Sequence, residues 1–584
     1  HDIFLRELVS NASDAISKVK ILRDEGKLPQ SDEPFRIDID VNKELKTITI
    51  SDNGIGMDEE ELDKYISQLA FSGAEEFVNQ YQKGSEKEPL IGHFGLGFYS
   101  AFIVSSKVEI NTLSQRSGAE SALWSSDGGT SYTIEKGSRE KSGTSITLHI
   151  SEGSEEYLEV SRLRSILKKH CAYLPAPIYL KDEHINKNDP LWLKNPHECT
   201  EEDYISFYNE LYPQDPDPIF WVHLNVDYPF HLKGILYFPK ITQRFDHNAS
   251  TIKLFCNRVF VSDNCKEIFP EYLNVLKGAI DSTDIPLNVS RSHLQMDKTV
   301  RQLSSHISKK ISDKLSSLYV GEREKFLSFW PDIEIIIKLG ILSDEKFYER
   351  CKDFLVWKTL DDSWTTAEDY FERRKEAYSE KIFYTTTADT TSSFISLYKE
   401  KKIEVIVSSH PIDSAVMSRL EQKLSPAKFQ RVDAAATDLL MDKSKEKTLL
   451  DQDGKSEAEK ISLNLTKMLD STLVDVEAKS LDSEEIPAFV VLDEETRRMR
   501  DYFSLSQQEI PEHLLGKQTL IVNTNHPLIS MICELQETNP QLSSLLTKHI
   551  YDLALLSQKE LKADKLSEFI TRSNEVLTAL AKKD

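Results

Sequence analysis

Between Ile3 and Leu22 apolar residues return every three or four positions, and neither Pro nor Gly interrupts them. That period predicts an amphipathic helix. At about 100° per residue, Phe4, Leu8, Ala12, Ala15, Ile16, Val19 and Leu22 fall on one broad arc with Leu5 and Val9. Ser10, Ser13, Ser17 and Lys20 lie opposite and are expected to face solvent. Glu7, Asn11 and Asp14 stand above one another along one edge of the arc. An acceptor able to polarise water, an amide able to ligate a metal and a second carboxylate on one rigid face suit a reaction centre. A polar edge that only caps or salt-bridges its neighbours gives the same pattern.

The period then changes to two. Phe35–Asn42 and Lys46–Ser51 alternate apolar and polar residues around a short polar turn, which predicts a β-hairpin. The hairpin runs into Asp52-Asn53-Gly54-Ile55-Gly56-Met57. Glycines after a strand-end carboxylate let the backbone approach a flat ligand. The carboxylate can accept a hydrogen bond from an exocyclic amine, and Met57 offers a soft apolar wall. After a helical stretch, Asp58–Leu69, comes Gly92-His93-Phe94-Gly95-Leu96-Gly97-Phe98, a glycine-rich loop leading into a helix. Successive amides and a helix start suit phosphate oxygens. No Lys-Ser/Thr follows the glycines, so this is not a Walker A loop. Lys107–Leu113, Ser121–Trp124, Ser131–Glu135 and Thr144–Ile150 read as an antiparallel meander, the last strand starting at Gly143-Thr144.

Composition narrows the field. The 584 residues suffice for three or four domains. A formal charge of -24 argues against nucleic acid as the main partner. Six cysteines without a CxxC pair fit reduced thiols in a cytoplasmic setting and offer no zinc site. No apolar run approaches the roughly 20 residues of a membrane span, so no membrane partner is expected. The chain opens at His1 without Met, and an upstream segment is expected.

In order, Glu7…Asn11…Asp14, Asp52-x-Gly-x-Gly, Gly92-x-x-Gly-x-Gly and Gly143-Thr144 resemble the four-box ATP site shared by gyrase, the MutL proteins, histidine kinases and the Hsp90 chaperones. The wording IFLRELVSNASDA, SDNGIGM, GHFGLGFYSAFIV and SGTSITLHI is similar to the Hsp90 family in particular, and the lack of a long acidic linker to its bacterial form. The resemblance implies ATP and Mg2+ as cofactors. Asp52 would take the adenine amine with Gly56, Met57 and Thr144. Asn11 would hold Mg2+, and Asp14 and Ala15 would line the nucleotide. Gly92, Gly95, Leu96, Gly97 and Phe98 would close over the phosphates, and Glu7 would orient the attacking water. LKGAIDSTDIPLNVSRSHLQMDK resembles the family's catalytic loop, which puts Arg291 on the γ-phosphate with Gln295 near it. Arg258 would buttress that loop or its sheet. Two positions depart from the pattern: Phe71 stands where the family has a lysine that would contact phosphate, and Tyr65 where asparagine is common. Family members also carry a strand and helix ahead of His1 that help their amino-terminal domains pair. Without these, nucleotide binding is expected to survive better than hydrolysis.

The resemblance implies a multidomain α/β and α+β chain. Residues 1–182 would be an ATPase α/β sandwich of the Bergerat type and 183–202 a polar linker. Residues 203–440 would be an α/β middle domain, and 441–584 an α+β dimerisation domain with a charged boundary at Lys443–Ser456. In the middle domain, Ile219–Val226, Phe230–Pro239 and Lys253–Val261 read as strands and Pro270–Lys277 as a helix. FWVHLNVDYPFHLKGILYFPK is either sheet core or an aromatic surface for unfolded protein. Ile382–Thr387 and Ile403–Ser408 read as buried strands between helices, and Gln541–Leu556 and Leu566–Leu580 as two amphipathic helices. These two form a packed hairpin or, as the resemblance implies, half of a four-helix homodimer seam. The reading that follows is an ATP-dependent chaperone for unfolded or partly folded clients. The alternatives are a nucleotide-independent holdase and a DNA-acting ATPase of the same superfamily.

Overall fold

A computed structural model describes residues 2–67, 91, 97–129, 131–187, 189–240, 251–263, 265–285, 298–386, 393–408, 410–434, 440–441, 456–469, 474–505, 516–558, 561 and 565–581. The chain divides into two compact units, 1–315 and 316–584, the division falling inside helix Lys298–Gly321. Both are mixed α/β, and among the described residues no helix is long and apolar enough to cross a membrane.

In the first unit, α1 spans Ile3–Asp24 as the periodicity predicts. The hairpin forms from β1 (Ile37–Asn42) and β2 (Thr47–Asp52). Then come β3 (Ser105–Leu113), β4 (Ala122–Ser126), β5 (Tyr132–Lys136), β6 (Gly143–Ile150), β7 (Ile178–Leu180) and β8 (Glu183–His184). They make one eight-stranded sheet in the order β5-β4-β3-β6-β2-β1-β7-β8. The expected meander therefore stops at β5. Instead of continuing outward, β6 returns to lie between β3 and β2, where both its edges are paired. The exposed pattern of β5 leaves that strand no second layer to bury against, whereas Leu148 and Ile150 of β6 are buried.

α1 packs on this sheet and is buried almost all round. Ser10 and Ser13, expected in solvent, are both buried. The open stripe is instead Glu7, Asn11, Ala15 and Lys18, with Asn11 the exposed member. Phe4, Leu5, Leu8, Val9 and Ile16 join Ile37, Ile39, Ile48, Ile50, Val108, Ile110 and Leu148 in one core. Each such fully buried side chain contributes roughly 1.5–3 kcal/mol. The helix predicted over Asp58–Leu69 forms as two helical pieces as far as the described residues run. A capping box of Asp58 and Glu61 starts α2 (Glu59–Leu62), a π turn follows over Asp63–Ser67, and the remainder lies outside the described residues.

A second sheet holds β9 (Phe220–Val226), β10 (Leu232–Phe238), β11 (Thr251–Cys256), β12 (Val259–Ser262) and β13 (Lys277–Asp281), in the order β12-β11-β13-β10-β9. Three expectations change here. Lys253–Val261 is two strands, because Asn257 and Arg258 take left-handed conformations (φ 49 and 68) and turn the chain. Pro270–Lys277 is a single 3-10 turn, Glu271–Leu273, and Lys277 already belongs to central strand β13. The aromatics of 220–240 are sheet core: Phe220, Phe230, Tyr237 and Phe238 are buried and only Tyr228 is largely exposed. Within the stretch 183–202, expected as a linker, Ile185, Asn186, Leu191 and Trp192 are buried. Trp192 is buried against Tyr173 and Phe255, and the Asn186 amide bonds the carbonyls of Leu174 and Ala176.

In the second unit, Val356–Thr359, Trp364–Thr366, Lys381–Thr385, Ile406–Val407 and Lys428–Arg431 form a five-stranded sheet. The two strands predicted as buried runs lie side by side and parallel, Tyr384 opposite Ile406. Of the charged boundary expected at Lys443–Ser456, all but Ser456 lies outside the described residues. A three-stranded sheet of Val474–Lys479, Ala488–Val491 and Gln518–Asn523 precedes helices Pro527–Thr538, Pro540–Ser557 and Leu566–Ala581. The last two pack through His549 stacked on Phe569 and an Arg572–Asp552 ion pair.

This unit buries an ionic cluster. Lys338 is wholly buried, 2.7 Å from Glu334 and 2.6 Å from Asp413, while His410 meets Glu334 at 2.9 Å. Removing the cation would leave two carboxylates in low dielectric. Lys338→Met is expected to cost about 3–5 kcal/mol, read from the denaturant transition of this unit. A loss under about 1 kcal/mol would show that solvent reaches the cluster.

Candidate active site

β2 ends at Asp52, and its register sets the site. Asp52 lies opposite Thr144 because β6 is inserted beside β2. The Asp52 carboxylate is buried, and its Oδ1 accepts the Gly54 amide at 2.8 Å. Burial pushes its pKa up to about 7, against the pull of the Gly54 amide, the Arg139 charge and the Thr144 amide. The turn after Asp52 lies directly on α1. The Ile55 amide donates to the Ala15 carbonyl at 3.1 Å, and a Cβ on Gly54 would stand 2.6 Å from the Ala15 carbonyl carbon. Gly56 is left-handed (φ 62), and a Cβ there would fall 2.0 Å from the Leu113 carbonyl oxygen. Both glycines are therefore required by close backbone approach.

Met57 packs against the core, and its amide donates to Thr112 Oγ1 at 3.0 Å. The same hydroxyl lies 3.0 Å from Thr144 Oγ1 and donates to the Gly143 carbonyl at 3.1 Å. Thr112 thus orients Thr144, a link that no motif announces because Thr112 sits within an ordinary alternating strand.

At the other end of the open stripe, Glu7 is gripped by its neighbour. Arg6 is buried and donates to Glu7 Oε1 through Nε at 3.0 Å and Nη2 at 2.8 Å. Gly97 opens the 3-10 helix Gly97–Ile103, and a Cβ on it would stand 2.6 Å from Glu7 Oε2. Gly97 and the Glu7 carboxylate are thereby in contact. Phe98 puts its ring into the core beside Trp124, at 5.7 Å between centroids. Asp14 is buried, and its Oδ1 accepts the Ile91 amide at 2.8 Å, bracing the entry to that loop. Asn11 lies between the two ends on the exposed stripe. A neutral amide oxygen is a hard donor of the kind Mg2+ takes alongside phosphate and water.

Of the residues expected in the site, the structure brings together Glu7, Asn11, Asp14, Ala15, Gly97 and Phe98 at one end and along α1, and Asp52, Gly56, Met57 and Thr144 at the other. Gly92, Gly95, Leu96, Arg291 and Gln295 lie outside the described residues, as does Phe71. Tyr65 is described, with the Lys64 ammonium 5.1 Å from its ring centre. Arg258 braces the sheet that leads to the Arg291 segment. Its amide donates to Asp281 Oδ2 at 2.9 Å and its Nε to the Tyr173 carbonyl at 2.6 Å. Sequence reasoning missed Arg6, Thr112 and Arg139 as parts of this site.

Residues 3–144 match the family model described as the histidine kinase-, DNA gyrase B- and HSP90-like ATPase. A nucleotide-binding domain of that class is what α1, the glycine turns and the β2–β6 pair build. Residues 179–583 match the model described as Hsp90 protein. The chain is 39% identical to the chaperone protein HtpG of Bacteroides fragilis, over 91% of this chain and 81% of that protein. It is 38% identical to the one from Bacteroides thetaiotaomicron (94% and 83% covered) and 33% to the one from Buchnera aphidicola (99% and 95%). The chain belongs to the Hsp90 family of molecular chaperones.

The seating of Gly54 on α1 can be tested directly. Gly54→Ala must push Ala15 and the end of β2 apart, at a cost of about 1–3 kcal/mol. The expected result is a lower melting temperature together with weaker nucleotide binding by titration calorimetry. Parent-like values for both would mean the turn has room to move.

Proposed function

We propose that this chain is an ATP-hydrolysing, homodimeric chaperone clamp that acts on unfolded or partly folded clients in the cytoplasm. One observation supports this best. Along the open stripe of α1, Glu7 meets Gly97 at one end and Ala15 meets the Asp52–Gly54 turn two helical turns on. These points are about 12 Å apart along the axis. Such a cleft suits a ligand with a flat base at one end and a phosphate chain at the other.

In this reading the buried Asp52 carboxylate takes the adenine amine, flanked by Gly56, Met57 and the Thr144 hydroxyl. Asn11 holds Mg2+, which when bound neutralises phosphate charge. Amides of the glycine loop, from Gly92 through Gly95, Leu96, Gly97 and Phe98, receive phosphate oxygens. Glu7, steadied by Arg6 at Oε1, uses its carboxylate to orient and polarise water. Arg291, with Gln295, brings a guanidinium to the γ-phosphate, supplying charge where it develops in the transition state. ATP biases the clamp toward closure and hydrolysis resets it. The homodimer seam lies on the last two helices, where Leu553, Leu556, Leu566, Ile570 and Leu577 remain exposed.

Glu7→Ala is expected to keep ATP affinity within about threefold while turnover falls about 10²–10⁴-fold, measured by calorimetry and steady-state phosphate release. Equal loss of both would remove Glu7 from the chemistry. Leu556→Asp with Leu577→Asp is expected to turn a dimer into a monomer in sedimentation velocity. An unchanged sedimentation coefficient would place the seam elsewhere.

A further inference from the structure

The loop between β5 and β6, residues 137–142, belongs to none of the glycine motifs and yet reaches their site. Arg139 is anchored there by its own amide, which donates to Ser121 Oγ at 3.0 Å. Its half-buried side chain folds back over the end of β2. Nη2 donates to the Asp52 carbonyl at 2.7 Å, Nε to the Lys141 carbonyl at 3.0 Å, and Nη1 to the Ser145 hydroxyl. Ser145 in turn meets Ser51 across the strands at 2.8 Å. One guanidinium therefore ties both strands at the Asp52–Thr144 pair. Gly143 makes the space: at φ 121, a Cβ there would fall 2.1 Å from the Asp52 carbonyl oxygen and 2.8 Å from Arg139 Nη2.

The surroundings of the carboxylate make this contact more than a strut. The turn after β2 offers it the Gly54 amide, and β6 offers the Thr144 amide. α1 presents Ala15 beside the turn, with Asp14 already taken up by the Ile91 amide. Arg139 is the cation whose charge favours the ionised form. A lysine could supply charge but not the planar fork that reaches three acceptors at once.

We propose that Arg139 is a positioning residue for nucleotide recognition, gripping the end of β2 and setting its positive charge beside the buried Asp52 carboxylate that accepts the amine of the base. This rests on the reading of Asp52 as the adenine acceptor. Without the guanidinium, the carboxyl takes up a proton at higher pH and presents an O–H, which suits a base carbonyl better than an amine. Arg139 therefore also favours an adenine base over a guanine base.

The test is ATP and GTP binding by calorimetry from about pH 5 to pH 9, for the parent, Arg139→Gln, Arg139→Lys and Asp52→Asn, each checked for folding by circular dichroism. Parent ATP affinity is expected to fall as pH drops through about 7, where Asp52 gains its proton. Arg139→Gln is expected to move that midpoint up by about one pH unit, to lose about tenfold in ATP affinity at neutral pH, and to narrow the gap to GTP. Arg139→Lys keeps the charge and should keep the parent midpoint. An Arg139→Gln midpoint equal to the parent's overturns the proposal, even if affinity falls at every pH. Parent-like ATP binding by Asp52→Asn would instead overturn the adenine role of Asp52.

Discussion

The seating of the turn after β2 on α1 is the contact from which the nucleotide site is built. Two backbones meet there with no side chain between them, Gly54 against Ala15, closed by the Ile55 amide on the Ala15 carbonyl. Once that approach is set, the position of everything else in the site is limited. Asp52 sits at the mouth of the turn, and the Gly54 amide reaches its carboxylate. β6 pairs with β2, so Thr144 comes opposite Asp52. Two helical turns back along α1, Glu7 stands against Gly97. A bulkier residue at Gly54 would disturb this registration at its origin, since backbone atoms cannot rotate away as side chains do.

Among the described residues, several buried charges sit in small ion-paired or hydrogen-bonded groups. Arg6 holds Glu7, Arg139 lies over Asp52, Arg258 spans Asp281 and Tyr173, and Lys338 sits between Glu334 and Asp413. Desolvation makes each costly unless every lone pair and proton finds a partner. The carboxylates of Asp52 and Asp281 show that cost: burial pushes them to about 7 and about 6 despite their partners. The surface charge of the whole chain, -24, acts on solubility and on choice of partner rather than on these sites.

Much of this was legible along the chain because it is local. α1, the β1–β2 hairpin, the strands of 105–150 and the two closing helices follow from hydrophobic period, and each side chain's face is set by its own neighbours. The residues Asp52, Gly56, Met57, Gly97 and Thr144 could be singled out because four short motifs in order resemble one family's ATP site, whereas each motif alone reads equally as a plain turn. Apolar runs, by contrast, misled where a turn was hidden in them. Asn257-Arg258 split one expected strand into a hairpin, and β13 began inside what read as a helix and loop.

By itself, then, the sequence determined the elements, the glycine turns and the residue types of a nucleotide site. Only the tertiary structure decided that β6 inserts between β3 and β2, that Ser10 and Ser13 are buried while Asn11 is open, and that Arg6, Thr112 and Arg139 touch Glu7, Thr144 and Asp52. The physical reason is one of range. Periodicity and turn chemistry act within a few residues, whereas strand order and burial are settled by which surfaces exclude water together. The 87 residues of chain separating Asp52 from Arg139 leave no local trace of the 2.7 Å contact between them.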